Sequence, residues 1–429
     1  MKTEDFSNIQ GSVTKSVTVT FLFRLEGLKL NDTDWINDFK EKRTQYGVSQ
    51  NRLAVMAGVS REYVSRIESG KVALTEEIKG KFTDALEKLN PDNPLEMVFD
   101  YVRIRFPTQD VKHVVEDILK LRLDVMIHED FGFYSYAKHY VLGDVFVLTS
   151  PDKEKGTLLE LKGKGCRQME SYLLAQHRSW YDFLMDALVE GGVIKRLDLA
   201  INDMVGILDI PELTKKCRNE ECISIFRSFK SYRSGELVQS REENKSSMGN
   251  TLYIGSLKSE VYFCVYEKDY EQYVKYDIPV EETLIKNRFE IRLKNERAYY
   301  AVRDLLTYHD AERTAFSIIN RYVRFADKDE TKRRSDWQTN ERWAWFIGED
   351  RRRLKLTTKP EPYDFQRTLN WLSRQVAPTL QVAEKLDKQN NTTIIKDMIK
   401  NAKLTDRLEK VLKQLSVTVE EMTVYDKED

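Results

Sequence analysis

The chain has 429 residues, 41% apolar and 11% aromatic, which is enough to bury several cores and excludes wholesale disorder. Lys and Arg total 69 against 70 Asp and Glu, so the formal net charge is −1 and any grip on nucleic acid must come from local patches. No apolar run approaches the roughly 20 residues that span a bilayer; with no basic-then-apolar leader after Met1 and four cysteines, too few for a disulfide scaffold, these features predict a cytoplasmic protein without membrane insertion.

Residues 1–35 form an N-terminal segment with one β-like run, Ser16–Phe23. Helical patterning then runs to Asn90, where Asn90-Pro91-Asp92-Asn93-Pro94 breaks it and bounds a unit over 36–90. Within that unit, Ser49 is placed to cap a helix starting at Gln50, with Leu53 and Ala54 turned inward. Gly58 suits a left-handed turn. Ser60 caps a second helix with Val64 and Ile67 inward, and Gly70 ends it. Arg61, Glu62, Ser65 and Arg66 then point outward, with Tyr63 near the exposed first turn.

This segment resembles the helix-turn-helix of the lambda-repressor/Xre class, whose second helix reads the major groove. The resemblance implies DNA contacts from Gln50, Ser60, Arg61, Tyr63 and Arg66. Residues 43–71 carry five Arg or Lys against two Glu, a local positive charge within a neutral chain. A helical pair that docks protein instead of DNA is the other reading.

From Met97 to about Val323, short β-like runs alternate with amphipathic helices. The predicted strands are Tyr101–Phe106, Gly132–Tyr136, Val141–Leu148, Thr157–Leu161, Lys195–Ile201, Ile223–Ser228, Thr251–Ile254, Val261–Glu267 and Arg288–Leu293. The predicted helices are Arg167–Leu188 and Asn295–Leu306. The fold class is therefore α+β: an all-α helix-turn-helix domain, an antiparallel-sheet domain over 95–356 covered by helices on one face, and a helical segment over 360–429. No repeat of 20–50 residues is visible.

The five histidines form no H-E-x-x-H or closely spaced pair, and Cys217 and Cys222 lack a second metal-binding pair. A catalytic metal would have to sit on carboxylates, which suit Mg²⁺ or Mn²⁺. Reading the strands at period two gathers such groups on one face. Asp198 lies opposite Leu197 and Leu199. Arg288, Glu290 and Arg292 lie opposite Phe289 and Ile291. Tyr253, Tyr266 and Lys268 fall on the polar side of their strands. Two carboxylates for a metal, tyrosines for attack and cations for phosphate suit phosphoryl transfer. The same pattern also describes a sheet with a solvated, ion-paired face, and the residues alone leave both open.

The strings Gly156–Arg167, Arg196-Leu197-Asp198-Leu199-Ala200-Ile201-Asn202-Asp203, Thr251–Ser259, Val265-Tyr266-Glu267-Lys268 and Arg288-Phe289-Glu290-Ile291-Arg292-Leu293 occur in order. Together they resemble the Rep_trans family of rolling-circle replication initiators over about residues 97–325. With the helix-turn-helix and the string Asn370–Leu380, they are most similar to the MobT-type relaxases of integrative conjugative elements. The resemblance implies a metal-dependent nick at an origin of transfer, with a tyrosine joined to the 5′-phosphate. It points to Tyr253 as the nucleophile, with Tyr266 as the alternate. It also points to Asp198 and Glu290 as metal ligands, and to Lys268, Arg288 and Arg292 as phosphate partners. Asn202 stands where members often carry a second acidic residue, which puts a role for the neighbouring Asp203 in doubt; Glu160 is a weaker acidic candidate. The implied partners are double- and single-stranded DNA, a coupling protein and other conjugation or replication proteins. A plasmid replication initiator and a non-enzymatic Xre-type regulator are the alternatives.

Two further features lie at the end of the sheet domain and beyond it. Glu341–Leu356 pairs Trp343, Trp345 and Phe346 with Arg351, Arg352 and Arg353, which suits stacking on single-stranded DNA; tryptophans buried against the sheet are the other reading. The C-terminal helices carry Ile394, Ile395, Met398 and Ile399 at helical spacing, either to pack on the sheet domain or to dock a partner.

Overall fold

The computed structural model describes residues 32–424 except 47, 58, 73, 89–94, 205, 236–246, 277, 349–353, 355, 364, 366–367 and 370–371. The run Ser16–Phe23, Gly58 and Arg351–Arg353 lie outside the described residues.

The N-terminal unit holds α1 (32–45), α2 (Gln50–Ala57), α3 (Arg61–Glu68) and α4 (Glu76–Lys88). The side chain of Ser60 accepts from the Tyr63 N–H and caps α3. Leu53, Ala54, Val64, Ile67 and Phe82 close a small core, and Leu284 of the sheet domain packs against it. Glu68 locks the pair of helices, because it receives Arg43 Nη2 at 3.1 Å and Gln50 Nε2 at 2.8 Å. Gln50 is thus tied into the motif through its amide nitrogen, while Arg61, Glu62 and Arg66 remain exposed.

The sheet domain begins with β1 (Leu95–Phe106), β2 (Ile127–Glu129), β3 (Lys138–Leu142), β4 (Val145–Thr149) and β5 (Thr157–Lys162), then α5 (Lys164–Ala175) and α6 (Trp180–Val189). It continues with β6 (Val193–Asp203), α7 (Ile210–Arg218), β7 (Cys222–Ser224), β8 (Phe229–Gly235), β9 (Ser247–Ile254), β10 (Val261–Glu267) and α8 (Lys268–Tyr276). It closes with β11 (Asn287–Lys294), α9 (Asn295–Tyr308), α10 (Ala311–Tyr322) and β12 (Val323–Phe325). One fully antiparallel sheet of ten strands results, in the order β2-β3-β4-β5-β1-β6-β11-β10-β9-β8.

The sheet consists of two halves with one connectivity. β1 leads to the β2–β5 meander, whose last strand returns to pair with β1; β6 leads to β8–β11, whose last strand returns to pair with β6. The registers agree as well. Tyr101 pairs with Lys162 and Asp198, and Asp198 pairs with Tyr101 and Arg292. Counting outward from that central pair, Lys162 matches Arg292 and Glu160 matches Glu290. This duplication begins at Leu95 and again at Val193, a period too long for the 20–50-residue window in which the sequence shows no repeat.

Alternation does the rest. Phe99, Leu197, Leu199, Ile201, Phe263, Phe289, Ile291 and Leu293 face one continuous core, roofed by α5, α6, α9 and α10. The opposite face keeps the polar residues.

Four predicted elements differ, one being Ile223–Ser228, of which only Ile223 and Ser224 lie in a strand, β7. Arg167–Leu188 is two helices, because His177 takes φ 52° between α5 and α6. Gly132–Tyr136 is a loop, with Tyr134 and Ser135 both at positive φ. Val141–Leu148 is a hairpin turning at Gly143, φ 59°. Of the two readings of Glu341–Leu356, the buried one holds for Trp343, which in α11 (Glu341–Ile347) packs against Phe289, Phe325 and Phe346.

Of the C-terminal helices α12 (Ala377–Asn390), α13 (Ile394–Asn401) and α14 (Asp406–Ser416), the last packs on the sheet domain. Gln414 Nε2 reaches the Val125 carbonyl at 2.8 Å, and Lys410 Nζ reaches that of Met126 at 2.7 Å. Ile394, Met398 and Ile399 stay exposed. Among the described residues no helix is long and apolar enough to cross a membrane.

Emptying the site of the most buried tryptophan should be costly. Trp343→Ala is expected to lose about 3–5 kcal/mol of stability, measured as a lowered denaturation midpoint against wild type.

Candidate active site

The polar face of the second half borders a cavity of about 810 Å³. Tyr253, Tyr266, Lys268, Arg288, Glu290 and Arg292 all line it. Antiparallel pairing brings them together: Cys264 lies opposite both Tyr253 and Glu290, and Tyr266 lies opposite Arg288. Asp198 sits directly across from Arg292 on β6, beneath its neighbours and 2% exposed.

The charges are paired, as low-dielectric surroundings require. Arg196 clamps Asp198 through two bonds, Nε to Oδ1 at 2.9 Å and Nη2 to Oδ2 at 2.6 Å. Arg292 holds Glu290 Oε2 from Nε at 2.8 Å and Nη2 at 2.6 Å, and its Nε stands 3.9 Å from Asp198 Oδ2. One guanidinium therefore bridges the two carboxylates. Burial pushes the Asp198 carboxyl up to about 6 even though Arg196 pulls it down, and Glu290 adds repulsion.

The two tyrosines differ in setting. Tyr266 donates its hydroxyl to Glu290 Oε1 at 2.8 Å, and burial and that carboxylate together drive its pKa well above the ordinary phenol value. Tyr253 is pushed up to about 12, by burial and then by Cys264, while Arg292 works in the opposite sense. The Arg292 guanidinium carbon lies 6.0 Å from the Tyr253 ring centre.

Lys268 Nζ is 3.4 Å from the Tyr266 hydroxyl and is paired with Glu271. Burial and then Arg288 hold its pKa below the usual lysine value. Arg288 is committed to structure: Nε donates to Asn202 Oδ1 and Nη1 to Asp100 Oδ1, each at 2.7 Å.

Asp203 does not join the site. It is fully buried on the other face and receives the backbone N–H of Gly206 and Leu208 and the Asn287 amide. Glu160 lies on the polar face of the first half, bound to Arg103 and Lys162.

Sequence reasoning missed Asp100. It is the extra residue of a β-bulge between Phe99 and Tyr101, so strict alternation would not place it. It also missed Lys164, Arg167 and Lys359, which line the cavity from outside the strands.

Among the described residues no group of three or more His, Cys, Asp or Glu side chains is placed to hold a metal. Asp198 and Glu290 are the carboxylates of this face that could hold Mg²⁺, which takes one or two carboxylates and completes its shell with water and substrate phosphate, and each is now bound by a guanidinium.

The cavity and the helix-turn-helix share a wall. Glu282 lines both this cavity and the shallow pocket in front of Ser60 and Arg61.

A helix-turn-helix joined to a sheet face of tyrosines, carboxylates and guanidinium groups defines a DNA-processing enzyme. A family model described as replication initiation factor matches residues 192–399, one for the N-terminal domain of rolling-circle replication initiation proteins matches 96–186, and a helix-turn-helix model matches 39–87. The chain is 43% identical over 334 residues to "Putative DNA relaxase NicK" of Bacillus subtilis (strain 168), covering 78% of this chain and 93% of that protein. The rolling-circle replication initiator protein of Geobacillus stearothermophilus shares the fold, with a TM-score of 0.52 at 23% identity over 62% of this chain and 99% of that one. The chain belongs to the Rep_trans family of replication initiation factors and relaxases, and it is a DNA-nicking enzyme.

Stability should record the Asp198 environment. Its folded pKa, about 6, lies above the ordinary aspartate value of 3.8, so the folded state binds the extra proton between those values and its stability falls as pH rises through that window. In EDTA, Asp198→Asn is expected to flatten this fall, read as denaturation midpoint against pH.

Proposed function

We propose that this protein is a site- and strand-specific relaxase that nicks the origin of transfer of a mobile element by tyrosine transesterification. The carrying observation is that Tyr253 opens onto the cavity that holds Glu290 and Arg292, with Asp198 directly across from Arg292 on β6. The Tyr253 oxygen attacks the scissile phosphorus, the bond to the 3′-oxygen breaks, and a 5′-phosphotyrosine and a free 3′-OH result. Attack by that 3′-OH on the phosphotyrosine reverses the step and rejoins the strand.

Arg292 and Lys268 neutralise phosphate oxygens. Arg288 positions the face by tying β11 to β6 and β1. Mg²⁺ or Mn²⁺ held by Asp198 and Glu290 would polarise the phosphodiester and stabilise charge on its oxygens. Tyr266 fixes the Glu290 carboxylate through its hydrogen bond.

The helix-turn-helix unit of residues 36–90 grips duplex beside the nick, through Arg61, Arg66, Ser60 and Tyr63 on α3, with Gln50 held by Glu68 behind them. Its shared wall with the cavity supports that placement. The nicking domain spans 95–356 and the helical region 360–429. Replication initiation uses the same nick and stands beside transfer as an outcome. The non-enzymatic regulator falls with membership of a nicking family. Tyr266 as the nucleophile is the second reading, favoured by its 2.8 Å bond to a carboxylate able to take its proton.

Three outcomes check this. Tyr253→Phe is expected to abolish nicking of labelled origin DNA while Tyr266→Phe keeps it; the reverse pattern exchanges the two roles. Asp198→Ala or Glu290→Ala is expected to lower Mn²⁺-dependent cleavage roughly a hundredfold or more, and normal cleavage by the double variant would remove the metal. Arg61→Ala is expected to weaken duplex binding and to flatten its logarithmic salt dependence by about 0.9, measured by titration at several salt concentrations.

A further inference from the structure

The two halves of the sheet are built alike, yet they carry different chemistry. Following the register outward from β1, the first half places Val141 where the second has Tyr253, and Leu148 where it has Tyr266. Leu158 likewise stands in for Arg288. The first half has lost the tyrosines and kept a carboxylate–cation pair, Glu160 with Lys162 at 2.8 Å.

Something else replaces the lost groups. Leu148 and Leu158 are covered by Tyr136, from the loop between β2 and β3. That loop holds Tyr134 and Ser135 at φ 56° and 63°, a conformation that non-glycine residues adopt at a cost. It turns Phe131, Phe133 and Tyr134 to solvent at 56%, 45% and 50% exposure. The Tyr134 ring is backed by Arg103, whose guanidinium carbon lies 4.2 Å from the ring centre, and its hydroxyl accepts from Lys162 at 3.2 Å.

Beside Tyr134 opens a pocket of about 350 Å³. Among the described residues its lining includes Arg103, Arg105, Lys195, Arg196 and Lys294, and no carboxylate. A register shift between β1 and β6 makes this possible: it falls between Arg103 and Ile104, which pair with Arg196 and Ile194, so Lys195 is the extra residue and both cations reach the pocket. Arg196 then connects the pocket to the candidate active site through its clamp on Asp198.

Exposed rings among cations suit a polyanion that also offers aromatic faces. Duplex DNA keeps its bases stacked inside, so a single strand is the better match. We propose that Tyr134, with Arg105, Lys195 and Lys294, forms a subsite for the single-stranded DNA that flanks the scissile phosphodiester, with a base stacked on Tyr134 and phosphates on the three cations. The strand would cross four strand steps from β1 to β9, about 19 Å at roughly 4.8 Å per step, to reach Tyr253. The subsite deepens the nicking reading, but its test is independent of cleavage.

The test uses the full chain in EDTA, where no metal-dependent cleavage occurs. Fluorescein-labelled oligo(dT) and a labelled mixed-sequence duplex are titrated by anisotropy at several salt concentrations. Tyr134→Ala is expected to weaken oligo(dT) binding about five- to a hundredfold, whereas Tyr134→Phe keeps it. Arg105→Ala and Lys195→Ala are expected each to flatten the logarithmic salt slope by about 0.7, and duplex binding is expected to hold in all four variants. Oligo(dT) binding by Tyr134→Ala within twofold of wild type overturns the subsite, as does an equal loss on duplex, which would give the patch to duplex. A mistaken nucleophile leaves these readings unmoved, and a failed subsite leaves Tyr253→Phe to stand or fall separately.

Discussion

The antiparallel pairing of β6 with β11 sets everything else in the candidate site. It puts Asp198 opposite Arg292 and Asn202 opposite Arg288. Because both strands send their apolar side chains into the core beneath the helices, these partners face the same way. A one-residue slip would bury the charges and expose Leu197, Leu199, Phe289 and Ile291. The hydrophobic core therefore enforces the register, and the register places two carboxylates around one guanidinium. Buried carboxylates this close need countercharge. Arg196 and Arg292 supply it, which keeps the pair assembled.

Duplication extends the same logic over the whole sheet. Tyr101 and Asp198 pair at the centre, and the two halves run outward in matching register. One half gathers tyrosines around Glu290. The other fills the equivalent positions with Val141, Leu148 and Leu158 and covers the two leucines with a strained aromatic loop. A single scaffold thus offers one half for breaking a bond and one half for holding the strand. The helix-turn-helix adjoins the catalytic half through Leu284 and Glu282. Its exposed cations form a second patch beside that cavity, which explains how a chain of near-zero net charge serves DNA at separate places.

Much of this was legible in the sequence because alternation and capping act locally. Period two in β6 and β11 was enough to gather Asp198, Arg288, Glu290 and Arg292 on one face, and Ser60 was recognisable as the cap of α3. Long-range events were not legible. The bulge that brings in Asp100 interrupts the alternation without any local mark. Gln50 and Arg43 converge on Glu68, 18 and 25 residues away. For Trp343, beside an arginine cluster, the sequence leaves stacking on DNA and burial both open, and the contacts of α11 with Phe289 and Phe325 decide for burial. Exposed Phe133 and Tyr134 lie in Gly132–Tyr136, a stretch with strand composition whose chain takes left-handed turns at Tyr134 and Ser135.

The central claim is that Tyr253 becomes covalently joined to DNA at the centre of this face. The direct measurement is to incubate the protein with labelled origin DNA and Mn²⁺, isolate the SDS-stable adduct, digest it and locate the modified peptide by mass spectrometry. The account predicts a nucleotide on the peptide containing Tyr253. Modification of the peptide containing Tyr266, or cleavage without any adduct, would contradict it.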